Sequence, residues 1–287
     1  MLPNFMCIGA QKSGTTWLYQ NIRFHPEIWL PPVKELDYFS RSSSSPWLMI
    51  LLTGKQVQRL WLHRLIRKAW RKKGKDTGWF LRYLFLPQND KWYASLFSPS
   101  EGQIAGEMTP DYDILDAETV ARIHALMPEL KIIYLLRNPI ERTWSQANRG
   151  VRQTLFQGNH TDSQVIQQFM ESEEPHRRSD YFKTLQVWES FYQREQIFIG
   201  FFEQIQENPR QLLLDIYQFL GVDSSEQHIP DLLHKRRNAG HYSPIPDDWA
   251  SHLAQRYHES LKLLHQRFDN SSSARWLAFA EQYLGAE

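Results

Sequence analysis

The residues Gly9-Ala10-Gln11-Lys12-Ser13-Gly14-Thr15-Thr16-Trp17 are small, rich in hydroxyls and carry one lysine. Four apolar residues, Phe5 to Ile8, precede them. Trp17, Leu18 and Ile22 follow at the spacing of a helix face. An apolar strand, a glycine-containing loop and a helix start together make a phosphate cradle. Loop N–H groups and the positive end of the helix dipole converge there on an anion. Gly9 and Gly14 have the separation found in the nucleotide-binding loop G-x-x-x-x-G-K-[ST]. Position 15, however, is threonine, and the lysine is Lys12, inside the loop. Its ammonium there faces a nearer group than the β/γ-phosphates.

Other cations stand at places where an anion would be held. Lys131-Ile132-Ile133-Tyr134-Leu135-Leu136 reads as a buried strand, and Arg137-Asn138-Pro139 closes it. Arg137 is thus expected at the carboxyl end of a parallel strand, where open α/β sheets bind ligands. A helix with Arg142, Trp144 and Ser145 follows. Ser145 lies two turns into it, so a ligand must lie along the helix to touch both Arg137 and Ser145. Farther on, Lys235-Arg236-Arg237 and Gly240 form a basic turn before His241, a phosphate contact or a solvated patch. Lys34-Glu35, behind Pro31-Pro32, reads as a rigid polar turn or as a solvated ion pair.

These residues need elements to position them. The pattern predicts a helix over about 15–24, ended by His25-Pro26. It predicts a helix from an Asp116 cap through Leu126, a short helix near 163–171, and a helix from Tyr181 through Trp188. A buried strand is expected over 197–202 and a helix over 209–220, capped by Gly221. Two more helices, 246–268 and 274–283, close the chain. Residues 42–91 read as an insertion. Trp47 to Leu52 is apolar, and Gln56 to Lys75 is a basic amphipathic pattern. That segment is a lid over the site, a dock for an anionic partner such as a carrier protein or membrane surface, or a structural helix.

Length and composition bound the rest. A chain of 287 residues forms one large α/β domain or two small ones. A net charge of +1 leaves no global basic field for nucleic acid. The one cysteine, Cys7, excludes an internal disulfide, and no Cys/His spacing suits a metal. Met1-Leu2-Pro3-Asn4 lacks the basic start of a signal peptide, so a cytoplasmic chain, or one peripheral to a membrane, is expected.

The order G-x-x-K-[ST]-G-[ST]-[ST]-[WL] resembles the 5′-phosphosulfate loop of sulfotransferases that use 3′-phosphoadenosine 5′-phosphosulfate (PAPS). The resemblance continues through Lys34-Glu35-x-x-Tyr38-Phe39, Gly106-Glu107-x-Thr109-Pro110-x-Tyr112 and the Arg137/Ser145 pair. It extends to Tyr181-x-x-x-Leu185-x-x-Trp188, Glu203 with Asn208-Pro209, and the basic turn at 235–240. It covers residues 4–40, 92–149 and 179–241 and is nearest in motif to the heparan-sulfate-type and bacterial branch. Met108 stands where that family frequently has lysine.

The resemblance implies one sulfotransferase domain over 1–287, with the insertion at about 42–91. Its fold would be α/β, a central mostly parallel sheet flanked by helices, similar to the P-loop nucleotide-binding fold. Gln11, Lys12, Ser13, Gly14, Thr15, Thr16 and Trp17 would hold the 5′ end of PAPS. Arg137, Ser145, Lys235, Arg236, Arg237 and Gly240 would hold its 3′-phosphate. Lys12 would assist the leaving phosphate, and Glu35 or His241 would be the general base. No metal is implied. The acceptor would be a hydroxyl of a small molecule, glycolipid, saccharide or carrier-tethered acyl chain. Two alternatives stay open: a P-loop-type small-molecule kinase, and a non-catalytic binding module of the same fold.

Overall fold

The computed structural model describes residues 1–40, 77–155, 162–231, 233 and 244–285. The described residues form a five-stranded sheet in the order β2-β3-β1-β4-β5. The strands are β1 (Phe5–Gly9), β2 (Ile28–Trp29), β3 (Ile104–Met108), β4 (Lys131–Leu136) and β5 (Ile197–Phe201). Every neighbouring pair is parallel, so all carboxyl ends share one edge. β2 is only two residues long. The sequence marks it as a short apolar segment, and its pairing with Ile104 and Ala105 makes it an edge strand.

Period-two alternation splits the core between the two faces of the sheet. Phe5 and Cys7 on β1, with Ile133 and Leu135 on β4, pack against helices α1 (Thr15–Ile22) and α10 (Pro209–Leu220). Met6, Ile8, Ile132, Tyr134 and Leu136 face the opposite way, into the larger cluster. That layer includes α4 (Ala117–Leu126), α5 (Pro139–Leu155), α8 (Tyr181–Glu189), α11 (Asp247–Phe268) and α12 (Ser271–Leu284). The remaining helices are α2 (Thr77–Phe85), α3 (Asp90–Ser95), α6 (Asp162–Glu171), α7 (Glu174–Arg177) and α9 (Phe202–Glu207).

Local chemistry sets the boundaries. Asp116 caps α4 by accepting from Thr119 N at 2.8 Å. Gly221, at φ 79°, ends α10 in the left-handed conformation that glycine adopts without strain. Asn270 caps α12 and starts it at Ser271, earlier than periodicity indicates. β5 is one residue shorter than expected, since Phe202 already begins α9. Cys7 is fully buried, and burial pushes its thiol up to about 12.

Of the expected insertion, residues 77–91 are described. α2 buries Trp79, Phe80, Tyr83 and Leu84. Indole N–H groups tie it to α3 and the turn after it: Trp79 donates to Leu96 O (2.7 Å) and Trp92 to Arg82 O (2.9 Å). The basic stretch at 55–75, with its choice of lid, dock or structural helix, lies outside the described residues. Among the described residues, no helix is long and apolar enough to cross a membrane.

Candidate active site

The loop after β1 lies at the centre of the sheet's carboxyl edge. Ala10 N donates to Leu135 O at 2.7 Å, which ties the loop to the end of β4. Thr109 N donates to Cys7 O at 3.0 Å, which ties the residue after β3 to the middle of β1. Within the loop, Ser13 N donates to Ala10 O (3.2 Å), and Lys12 holds φ 74°. Gly14, at φ 95°, is the residue before α1. A Cβ there would stand 2.2 Å from Ile205 Cδ1, so glycine is required by conformation and by the close approach of α9.

The loop fits an anion. Leu18 N is bonded to Gly14 O at 3.0 Å, and no side chain caps α1. The amides before Leu18 in the first turn therefore lack intrahelical acceptors. Ser13 is fully buried, and its Oγ has no hydrogen-bond partner. The Tyr181 hydroxyl near it is committed to Arg137 O at 2.8 Å. The Tyr181 oxygen can still accept from Ser13 Oγ, and an anion in the loop would be a stronger acceptor.

Arg137 flanks the loop on the β4 side. Its Nε and Nη2 donate to Glu141 Oε2 at 3.1 and 3.0 Å, and Nη1 reaches Lys12 O at 3.4 Å. The guanidinium lies 4.5 Å from the centre of the Phe202 ring. These bonds leave part of its five-donor fork for another acceptor. Ser145 lies farther along α5 and is buried.

Glu35 flanks the loop on the β3 side. Its N–H donates to Met108 O at 3.1 Å, and its carboxylate, half-exposed, is ion-paired with Lys34. Lys34 is itself largely covered, and its charge is felt by the Cys7 thiol in the middle of β1. Glu35 has φ 68° and Asp37 φ 56°. Left-handed non-glycine residues gather where surrounding contacts force them, commonly at functional sites. Met108 itself is buried beside Phe5 and Cys7, as a core side chain.

Trp17 donates from Nε1 to Leu233 O at 3.2 Å. That bond anchors the chain two residues before Lys235. The expected site residues Lys235, Arg236, Arg237, Gly240 and His241 lie outside the described residues.

Sequence reading passed over Asp113 and gave no role to Arg142 or Glu107. Asp113, in the turn after β3, is fully buried and packs directly against Gly9. It pairs with Arg178 Nη1 at 3.3 Å. Burial dominates and raises its carboxyl to about 7, against the opposing pull of Arg178 and Arg142. Arg142 is also fully buried. It donates to Ser179 Oγ (2.7 Å), Gln146 Oε1 (2.7 Å), Thr143 Oγ1 (3.1 Å) and Pro175 O (2.6 Å). Glu107, on β3, is a second acid buried at the carboxyl end of a strand. The one available signal was position: each acid lies at or just beyond the carboxyl end of a strand.

Comparison with known proteins identifies the family. Residues 2–239 match the sulfotransferase domain family. Human heparan sulfate glucosamine 3-O-sulfotransferase 6 is 39% identical over 144 residues, covering 50% of this chain and 29% of that protein. Human bifunctional heparan sulfate N-deacetylase/N-sulfotransferase 2 is 26% identical over 230 residues, 77% of this chain and 22% of that protein. This chain thus spans less than a third of either relative. A sulfotransferase structure from Alicyclobacillus acidocaldarius superposes with a TM-score of 0.64 at 23% identity, over 96% of this chain and 99% of that one. That likeness concerns the fold alone. With residues 2–239 of 287 matched to the family model, the chain belongs to the sulfotransferase domain family.

Proposed function

We propose that this protein transfers the sulfuryl group of PAPS to an acceptor hydroxyl. The observation that carries the reading is the order β3-β1-β4 along one sheet edge. It sets the segment of Glu35 on one side of the Lys12 loop and Arg137 on the other. A donor with phosphates at both its 5′ and 3′ positions calls for two separated anion sites, and an attacking hydroxyl calls for a base beside the first.

In this reading the first-turn amides and Ser13 Oγ hold the 5′-phosphate. Arg137 and Ser145 hold the 3′-phosphate, joined by Lys235, Arg236, Arg237 and Gly240. Glu35 accepts the acceptor's proton as the acceptor oxygen bonds to sulfur, and His241 is the other residue proposed for that role. The bond from sulfur to the 5′-phosphate oxygen breaks, and Lys12 neutralises the charge that collects there. Such a transfer depends on positioning two reactants and stabilising a leaving anion. The acceptor class follows the family's range: saccharide, glycolipid, small molecule or carrier-tethered acyl chain.

The test is transfer of label from sulfur-labelled PAPS into fractionated extract, with Lys12→Ala as control. Label should enter one fraction and fall at least about 100-fold with Lys12→Ala. Equal labelling by both proteins would remove Lys12 from the chemistry. No labelling despite PAPS binding would favour a binding module.

A further inference from the structure

Residues 33–39 carry Glu35 and hold two left-handed positions, so something must fix them. Five contacts do so. Glu35 N donates to Met108 O. Phe39 N donates to Tyr112 Oη at 3.4 Å. The Tyr38 ring stacks on Tyr93 with centres 4.8 Å apart and planes at 15°. Phe39 meets Tyr93 and Tyr112 edge-on, at 5.2 and 5.7 Å. Tyr38 Oη is further held by Asp90 Oδ1 (2.6 Å) and Arg122 Nη2 (2.8 Å).

Tyr93 and Tyr112 both end on Glu107, which is 1% exposed. Tyr93 Oη donates to Oε2 at 2.9 Å, Thr109 Oγ1 donates to Oε1 at 3.2 Å, and the Tyr112 hydroxyl bonds the same carboxyl. A carboxylate buried on three hydroxyl donors is a costly way to fill a core. It is an effective way to fix the rotation of two tyrosines. The same strand residue precedes Met108, whose carbonyl receives Glu35.

We infer that Glu107 is a positioning residue: through Tyr93 and Tyr112 it fixes the segment that presents Glu35 to the loop. Its effect on turnover rests on the base assignment of Glu35; its effect on the segment does not. Two variants test it. Tyr112→Phe removes a single hydroxyl, the one that joins Phe39 N to Glu107. Glu107→Gln keeps shape and one acceptor oxygen.

Three quantities are read for each: hydrogen exchange of peptides covering 33–40 and 5–18, affinity for 3′-phosphoadenosine 5′-phosphate (PAP), and label transfer from PAPS. Exchange at 33–40 should quicken about tenfold while that at 5–18 and PAP affinity stay within twofold. Turnover should fall about 10- to 100-fold, as for a group displaced by a fraction of an ångström to one ångström. Unchanged exchange at 33–40 in both variants would overturn the inference. So would equal acceleration in both peptides, which would mark Glu107 as core filling. Retained turnover in Glu35→Gln would remove the base reading, while the exchange result would still decide the anchor.

Discussion

Replacing Gly14 with alanine tests the loop and its support together. At φ 95° an L-residue costs about 1–2 kcal/mol. The new Cβ would lie 2.2 Å from Ile205 Cδ1, against about 3.5–4.0 Å for an ordinary carbon contact. Cδ1 is the free end of a side chain, so Ile205 can swing away. A displaced rotamer costs about 0.5–1.5 kcal/mol. The sum is about 1.5–3.5 kcal/mol, or a fall in Tm of roughly 3–6 °C for a chain of this size.

Thermal unfolding of Gly14→Ala, Ile205→Ala and the double variant separates the two parts. Ile205→Ala removes the atom that is struck. In that background Gly14→Ala should cost only the backbone part, leaving a coupling of about 0.5–1.5 kcal/mol. Equal costs in both backgrounds would mean that the loop and α9 do not meet. A cost below about 0.5 kcal/mol would mean that the residue is not held left-handed.

Two further predictions concern single carboxyls. Glu35→Gln should cut turnover at least about 100-fold with PAP affinity almost unchanged, measured by label transfer and calorimetry; full turnover would transfer the base role elsewhere, with His241 next. Asp113→Asn should flatten the pH dependence of stability. Burial raises Asp113 from 3.8 to about 7, so the folded chain keeps a proton that the unfolded chain releases. This contribution is fully present below pH 3.8 and lost as pH rises through about 7. Unfolding free energy should therefore fall with rising pH, by up to about 1.4 kcal/mol per unit from this group. Denaturant titrations between pH 4.5 and 6.5 should show a shallower slope in Asp113→Asn; identical slopes would refute the shift.

The loop, β4 and α10 were legible because their signals are local. Gly9 and Gly14 frame a run that little else explains, β4 is uninterrupted apolar sequence, and Gly221 stops a periodic helix. Lys12 and Arg137 could be named because each follows such an element; Glu35 was named from its place behind Pro31-Pro32 and from the resemblance. Their arrangement around the loop required strand order, which no local pattern encodes. β2 was hidden by its length: two residues cannot display a period. The buried acids were hidden for another reason. Asp113 meets Arg178 from 65 positions away, and Glu107 is held by hydroxyls from Tyr93, Thr109 and Tyr112. In a sequence such acids look like ordinary surface charge; only tertiary packing turns them into supports. The Met108 substitution likewise gains a reason only from packing against Phe5 and Cys7.

In the proposed function this sheet edge binds a nucleotide phosphorylated at both its 5′ and 3′ positions. Calorimetry of PAP and of adenosine 5′-phosphate, each against the native protein and Arg137→Ala, tests it most directly. A lost charged hydrogen bond of about 1.5–3 kcal/mol predicts that Arg137→Ala weakens PAP about 10- to 150-fold. Adenosine 5′-phosphate, which has no 3′-phosphate, should change less than about twofold. Equal losses for the two nucleotides, or none for either, would contradict the account.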